Sequence, residues 1–188
     1  MAPWGWGLVR RALRATWWVW LFPAALTIAA VLRNLLFLDY VHVLSAVLWT
    51  GADLFMGFVV GPVLRRLDPG SRMRVQSQLL PRTLLFFPVM AGTTITSGWY
   101  VGQAIGLLRP SSPVDGWLVA ALVVVVFLTV QGLAVLLPTN VRIYGMMLLP
   151  EPDIERIRRT MSRYLYLVGF QGLLQLGIVF IMAHLAMG

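Results

Sequence analysis

The chain contains two histidines, His42 and His184, and both interrupt long apolar runs. Neutral imidazole is a common axial ligand of haem iron, so two such rings on separate helices could clamp one centre from opposite faces. His42 shares a helical stripe with Trp49 and Asp53. Spacings of seven and four residues bring the three within a few tens of degrees at about 100° per residue, with Ser45 and Ala46 beside them. Ionisable groups inside a bilayer are costly and face the bundle interior or a cavity, so this stripe is an internal face. Asp53 lies deepest, about 20 Å from the outer end of its helix by a rise of 1.5 Å per residue. An unpaired carboxylate at that depth takes up a proton or a cationic partner. Arg82 and Arg142 are the candidate partners, giving a structural ion pair or a proton relay from the cytoplasm.

Other side chains offer rival chemistries. The C-terminal Met182-Ala183-His184-Leu185-Ala186-Met187 combines thioethers with an imidazole, a set that favours Cu(I). Gln131, Gln171 and Gln175 lie within apolar runs and could receive a quinone carbonyl, although hydrogen bonding between helices explains them more simply. Thr93, Thr94, Thr96 and Ser97 read as helix-packing residues. Trp49 and Trp99 are placed to pack on a flat cofactor, and Arg33 and Arg109 to meet haem propionates at the outer surface. With no cysteine, iron–sulfur clusters, thiolate metal sites and covalently attached haem are excluded. No phosphate-cradling loop, paired-His zinc motif or nucleophile elbow is present.

The elements that must hold these residues are set by composition. Hydrophobic residues make up 59% of the chain and charged residues 12%, and the mean hydropathy is +0.81, which places the chain in a lipid bilayer. Five apolar segments, at about 15–32, 39–64, 80–108, 117–149 and 164–187, predict a single-domain all-α bundle of five transmembrane helices. The first segment is expected as a retained span or a half-inserted interfacial helix, with a cleaved signal as the alternative. Pro23, Pro88 and Pro138 are expected to kink helices, and Pro138-Thr139-Asn140 to end the membrane portion of the fourth span. Glu151 to Arg163 reads as a solvated helix leading into the fifth, with Glu155 and Arg159 at a spacing of four.

The net charge of +8 is carried by arginines at the ends of apolar runs, not by one basic patch, so nucleic acid is not the expected partner. All arginines but Arg33 and Arg109 fall on one side of the predicted membrane. The positive-inside rule then puts the N-terminus in the cytoplasm of a bacterial inner membrane and the C-terminus in the periplasm. His42 and His184 become level with each other, each about 4 to 6 Å below the outer helix ends. The tryptophans clustered at positions 4 to 20 form an aromatic anchor near the cytoplasmic arginines.

The stretch Tyr40-Val41-His42-Val43-Leu44-Ser45-Ala46-Val47-Leu48-Trp49-Thr50-Gly51 carries a His, six residues, Trp, one residue, Gly pattern. It resembles the copper-resistance protein D superfamily, to which HemJ-type protoporphyrinogen oxidases look related. The likeness extends loosely to Gly61-Pro62 and Thr96-Ser97-Gly98, about half of the chain. What the resemblance implies is a helical bundle in which His42 ligates haem b or lies near a copper path. The absence of lysine removes any role that such enzymes give to one. The expectation is therefore a haem b protein for electron transfer or haem-linked oxidoreduction. Copper handling, or a cofactor-free accessory subunit working with other membrane subunits, are the alternatives.

Overall fold

The computed structural model describes residues 10, 13–108 and 116–187. Among them there is no strand. Five helices follow in order: α1 (Trp17–Val31), α2 (Leu35–Arg66), α3 (Pro69–Ala104), α4 (Gly116–Met147) and α5 (Ile154–Met187). The last four, of 32, 36, 32 and 34 residues, are long and apolar enough to cross a membrane. Only 28, 33, 17 and 33% of their most apolar windows is buried inside the bundle, so most of that surface faces outward, as lipid contact requires. α1 is a shorter apolar helix that opens with one 3₁₀ turn, Trp17–Trp20.

The helices begin earlier than hydropathy alone predicts, because polar first turns and side-chain caps lie ahead of the apolar runs. The Asn34 side chain accepts the Phe37 N–H at 2.9 Å and starts α2. Asp68 accepts the Ser71 N–H at 3.0 Å, with Pro69 at the first helical position, so α3 starts at Pro69 and not near residue 80. Bonding from Ser71 also holds the Asp68 carboxyl below its ordinary range. Asp153 accepts the Arg156 N–H at 2.9 Å, and α5 runs unbroken from Ile154. Its first turns carry the expected solvated charges, with Glu155 paired to both Arg158 and Arg159 at 2.7 Å. Gly106, at φ 82°, closes α3 in the left-handed region, and the Leu107 N–H reaches back to the Gly102 carbonyl.

α2 packs against α3 and α5, and α4 packs against α5 and the arginine-rich half of α3. α2 and α4 thus sit diagonally, and α1 leans on α2 and α3. Two of the four long helices widen mid-course. Met56–Val60 in α2 and Gln131–Leu136 in α4 are π-helical, with Gly61 N–H bonded to Met56 O and Leu137 N–H to Gly132 O. Each π segment is followed by a proline, Pro62 or Pro138, whose ring would collide with the carbonyl four residues back in a regular α-helix. The helix accommodates the ring by widening. α4 therefore continues as one helix through Pro138-Thr139-Asn140 to Met147.

Candidate functional site

α2 and α5 cross at unusually short range. A Cβ on Gly57 would collide with the backbone of Gly169, and one on Gly172 would lie 2.9 Å from the Leu54 side chain and 3.1 Å from its N–H. Only glycine lets the two helices approach this closely. The crossing sets Asp53 of α2 beside Gln171 of α5. The Asp53 side chain is 1% exposed, and its Oδ2 accepts a hydrogen bond from Gln171 Nε2 at 2.9 Å. The Trp49 indole and the Gln175 amide lie within reach of the same carboxyl.

Asp53 lines a cavity of about 180 Å³ between the four long helices. The polar lining comes from Trp49 and Asp53 of α2, Thr83 of α3, Thr129 and Asn140 of α4, and Tyr164 and Gln171 of α5. The π segment of α4 lines it through Gly132, Leu133 and Leu136, and such segments are frequent at functional sites. Its mouth lies between α3 and α4, where Gly92, Thr96 and Leu133 are exposed on the outward face of the bundle. A lipid-soluble molecule would enter sideways there.

The lining is chemically unfinished. Asn140 donates to Thr83 Oγ1 at 3.1 Å and to the Tyr164 hydroxyl at 3.3 Å, but its Oδ1 has no hydrogen-bond partner among the described residues. The same holds for Gln171 Oε1, while Trp49 Nε1 and the Gln175 amide, the latter outside the lining, approach the Asp53 carboxyl without closing a hydrogen bond to it. Buried polar atoms in an apolar medium require partners, so this cluster is built to meet water or a ligand.

The structure distributes the expected site residues differently. Trp49 and Asp53 share the buried face predicted for them, with Ser45 fully buried beside them. The ion pair of Asp53 with Arg82 or Arg142 is not formed. Both arginines are exposed, and Arg82 donates to the Gln78 carbonyl of its own helix. A long side chain near the arginine-rich end reaches water at less cost than it reaches mid-bundle.

His42 packs on α3. Its Nδ1 donates to the Thr94 carbonyl at 2.9 Å, with Ser97 Oγ at 3.3 Å, and a Cβ on Gly98 would lie 2.6 Å from the ring. His184, at the same end of the bundle, is exposed and stacks on Trp117 with ring centroids 4.3 Å apart. The two imidazoles thus engage different helices, and neither lines the cavity. Trp99 is 52% exposed and turned outward, Met182 and Met187 are exposed, and Arg33 occupies the turn between α1 and α2 at φ 51°. Arg109 lies outside the described residues. Among the described residues no three His, Cys, Asp or Glu side chains gather as a metal site.

Of the glutamines, Gln131 donates to the Leu167 carbonyl at 3.1 Å and bridges α4 to α5, the helix-bonding role expected of it. Thr94 and Ser97 likewise tie α3 to α2, through Ser45 and His42. The sequence reasoning did not find Thr83, Asn140 and Tyr164. The available signal is Pro138, two residues before Asn140, which marks where α4 widens beside the cavity.

Residues 44–145, a little over half of the chain, match the model of the family described as Domain of unknown function (DUF4149). The matched stretch contains Trp49, Asp53, Thr83 and Asn140, and leaves out His42 and His184. No curated protein and no solved structure matches the chain.

Proposed function

We propose that this chain, which belongs to the DUF4149 family, is a multi-pass membrane protein that binds a lipid-soluble molecule with a hydrogen-bonding head of the quinone class in the Asp53 cavity. The observation that carries this reading is the set of unpartnered polar atoms around a buried carboxyl, opening between α3 and α4 towards lipid. The Trp49 indole N–H would donate to a ring carbonyl, and Gln171 Oε1 and Asn140 Oδ1 would accept from a ring hydroxyl. The apolar walls would hold the ring and the start of its tail. A volume of about 180 Å³ suits a head group and not a whole drug-sized ligand, for which pockets of roughly 300 Å³ and more are usual.

The test is equilibrium binding of a short-chain quinone to the full chain in nanodiscs. No atom lies within 4 Å of a Cβ placed on Gly92, so Gly92→Leu folds and fills the mouth. Saturable binding weakened about tenfold or more, ~1.4 kcal/mol, is expected in that variant. No binding by the wild type, or equal binding by Gly92→Leu, would overturn the proposal.

A second reading is favoured by the His42 tautomer. Because Thr94 O can only accept, Nδ1 is the protonated nitrogen, which in a neutral ring leaves the Nε2 lone pair to bind a metal. This supports a one-histidine haem b or copper site at the outer end of α2, in line with the resemblance to the copper-resistance protein D superfamily, with electron transfer as its role. A reduced-minus-oxidised spectrum with b-type bands that His42→Ala abolishes would establish the haem reading, and stoichiometric copper without such bands the copper one. Neither signal, with other subunits co-purifying, would leave an accessory subunit.

The topology proposed with both readings puts the arginine-rich end in the cytoplasm of a bacterial inner membrane. α1, extended by the helical residues before Thr16, makes the fifth crossing.

A further inference from the structure

The buried polar groups of this bundle are not spread evenly along its axis. Towards the end that carries His42 they are satisfied locally: Ser45 donates to Val41 O at 2.8 Å, Thr93 to Val89 O at 2.8 Å and Ser97 to Thr93 O at 2.6 Å. On that side Val19, Trp49, Met90 and Leu128 pack together, and the mouth beside Gly92 and Thr96 opens sideways onto the apolar outer surface. The opposite direction differs. From the cavity floor the Tyr164 hydroxyl, the Asn140 amide and the Thr83 hydroxyl are joined by hydrogen bonds. Two turns further along α3, about 10 Å by helical rise, Gln76 is 2% exposed with its Nε2 unpartnered. These groups lie amid the apolar cluster of Leu80, Ile143, Ile157 and Met161, where an aliphatic residue would pack without desolvation cost. At the cavity end, Tyr164 is close enough to Asp53 for their electrostatic interaction to be felt.

We propose that Asp53 exchanges its proton with the arginine-rich side of the membrane through the Tyr164 and Thr83 hydroxyls and waters held by the unpartnered amide atoms of Asn140 and Gln76. The inference deepens the reading of the cavity as a ligand site: a quinone head that gains or loses protons there would do so with that side and not with the His42 side. Tyr164 is the other titratable residue lining the cavity. α3 and α4 contribute only uncharged groups to it, and Trp49, Gln171 and Gln175 face the carboxyl from α2 and α5. Protons pass only between hydroxyls and waters, each transfer breaking one O–H bond and forming another, while the Asn140 and Gln76 amides hold those waters and carry no proton themselves, with no redox step.

Infrared spectroscopy of the full chain in nanodiscs tests this without any ligand. The carboxylic band of Asp53 is identified as the one that Asp53→Asn removes, at a pH where it is present, and its rate of hydrogen–deuterium exchange is followed. Gln76→Leu and Asn140→Leu are expected to slow that exchange about tenfold or more, since losing one water-binding group costs about 1–3 kcal/mol along the path. Gln76→Ser, which keeps a polar group, restores part of the rate and separates the path from misfolding. Ser45→Ala, on the His42 side, leaves the rate unchanged. Wild-type rates in the two Leu variants, slowing by Ser45→Ala, or no Asp53 band at any pH at which the chain stays folded would overturn the proposal. Quinone binding measured on the same Gln76→Leu protein separates the two ideas. Retained binding with slowed exchange supports both, and slowed exchange in a chain that binds no quinone sustains the path alone.

Discussion

At the scale of single residues, Gly57 does more to build the site than any residue that touches it. Adding one methyl there places a carbon against the Gly169 backbone, which no rotamer can move aside, so α2 and α5 must separate. Overpacking of this kind costs about 1–3 kcal/mol. Gly57→Ala should therefore lower the unfolding midpoint in detergent and weaken the bond from Gln171 to Asp53. Gly51→Ala, on the same helix with open space around the new carbon, should leave the midpoint unchanged. Equal midpoints for the two variants would show that the crossing tolerates a wider spacing. The sequence exposes one side of this arrangement. His42, Trp49 and Asp53 repeat at helical spacing in an otherwise apolar run, so their common face is legible from periodicity. Thr83, Asn140 and Tyr164 are not, because they sit towards the arginine-rich ends of their helices, where polar side chains are expected to meet water. The surroundings of the histidines are hidden for a related reason: a His count says nothing of which neighbouring helix each ring meets.

At the scale of elements, the apolar runs reveal that four long helices exist but not where they start. Hydropathy marks the lipid-facing middle of α3 and α5, whereas Asp68 and Asp153 set their first turns in polar sequence well outside it. The two π segments carry a sharper consequence. With Pro138 replaced by Ala, residue 138 regains an N–H that can bond Ala134 O, and the Gln131–Leu136 segment is free to tighten to α-helical geometry. Removing the extra residue from that turn rotates everything beyond it by about 100°, which would carry the Asn140 amide away from Thr83 and Tyr164. Pro138→Ala is accordingly expected to retain its helix content while losing quinone affinity about as fully as Asn140→Leu. Backbone chemical shifts through Gln131–Leu136 report whether the wide turn has closed. A closed turn with unchanged affinity would detach the π segment from the site.

For the molecule as a whole, the question is how the bundle lies in the membrane, because the direction of proton exchange has meaning only relative to the two aqueous sides. The arginines answer it by asymmetry. Arg65, Arg66, Arg74, Arg82, Arg142, Arg156, Arg158, Arg159 and Arg163 are all exposed at one end, while among the described residues Arg33 remains for the other. Charged loops resist translocation, and on that ground the topology proposed above keeps the arginine-rich end cytoplasmic. The chain has no cysteine, which allows single cysteines to be introduced against a silent background. Ser77→Cys, exposed near the start of α3, should react with a membrane-impermeant thiol reagent only after the cells are opened. Ser111→Cys, in the connection between α3 and α4, should react in cells whose inner membrane is intact. The reverse pattern would invert the bundle and make the proposed path an exit to the periplasm. Arg14→Cys decides α1: labelling with Ser77→Cys fixes a fifth crossing, because α1 leaves the Arg33 end and its upstream residues must then have reached the opposite face. Labelling with Ser111→Cys would instead make α1 a half-inserted helix against α2 and α3, with four spans enclosing Asp53.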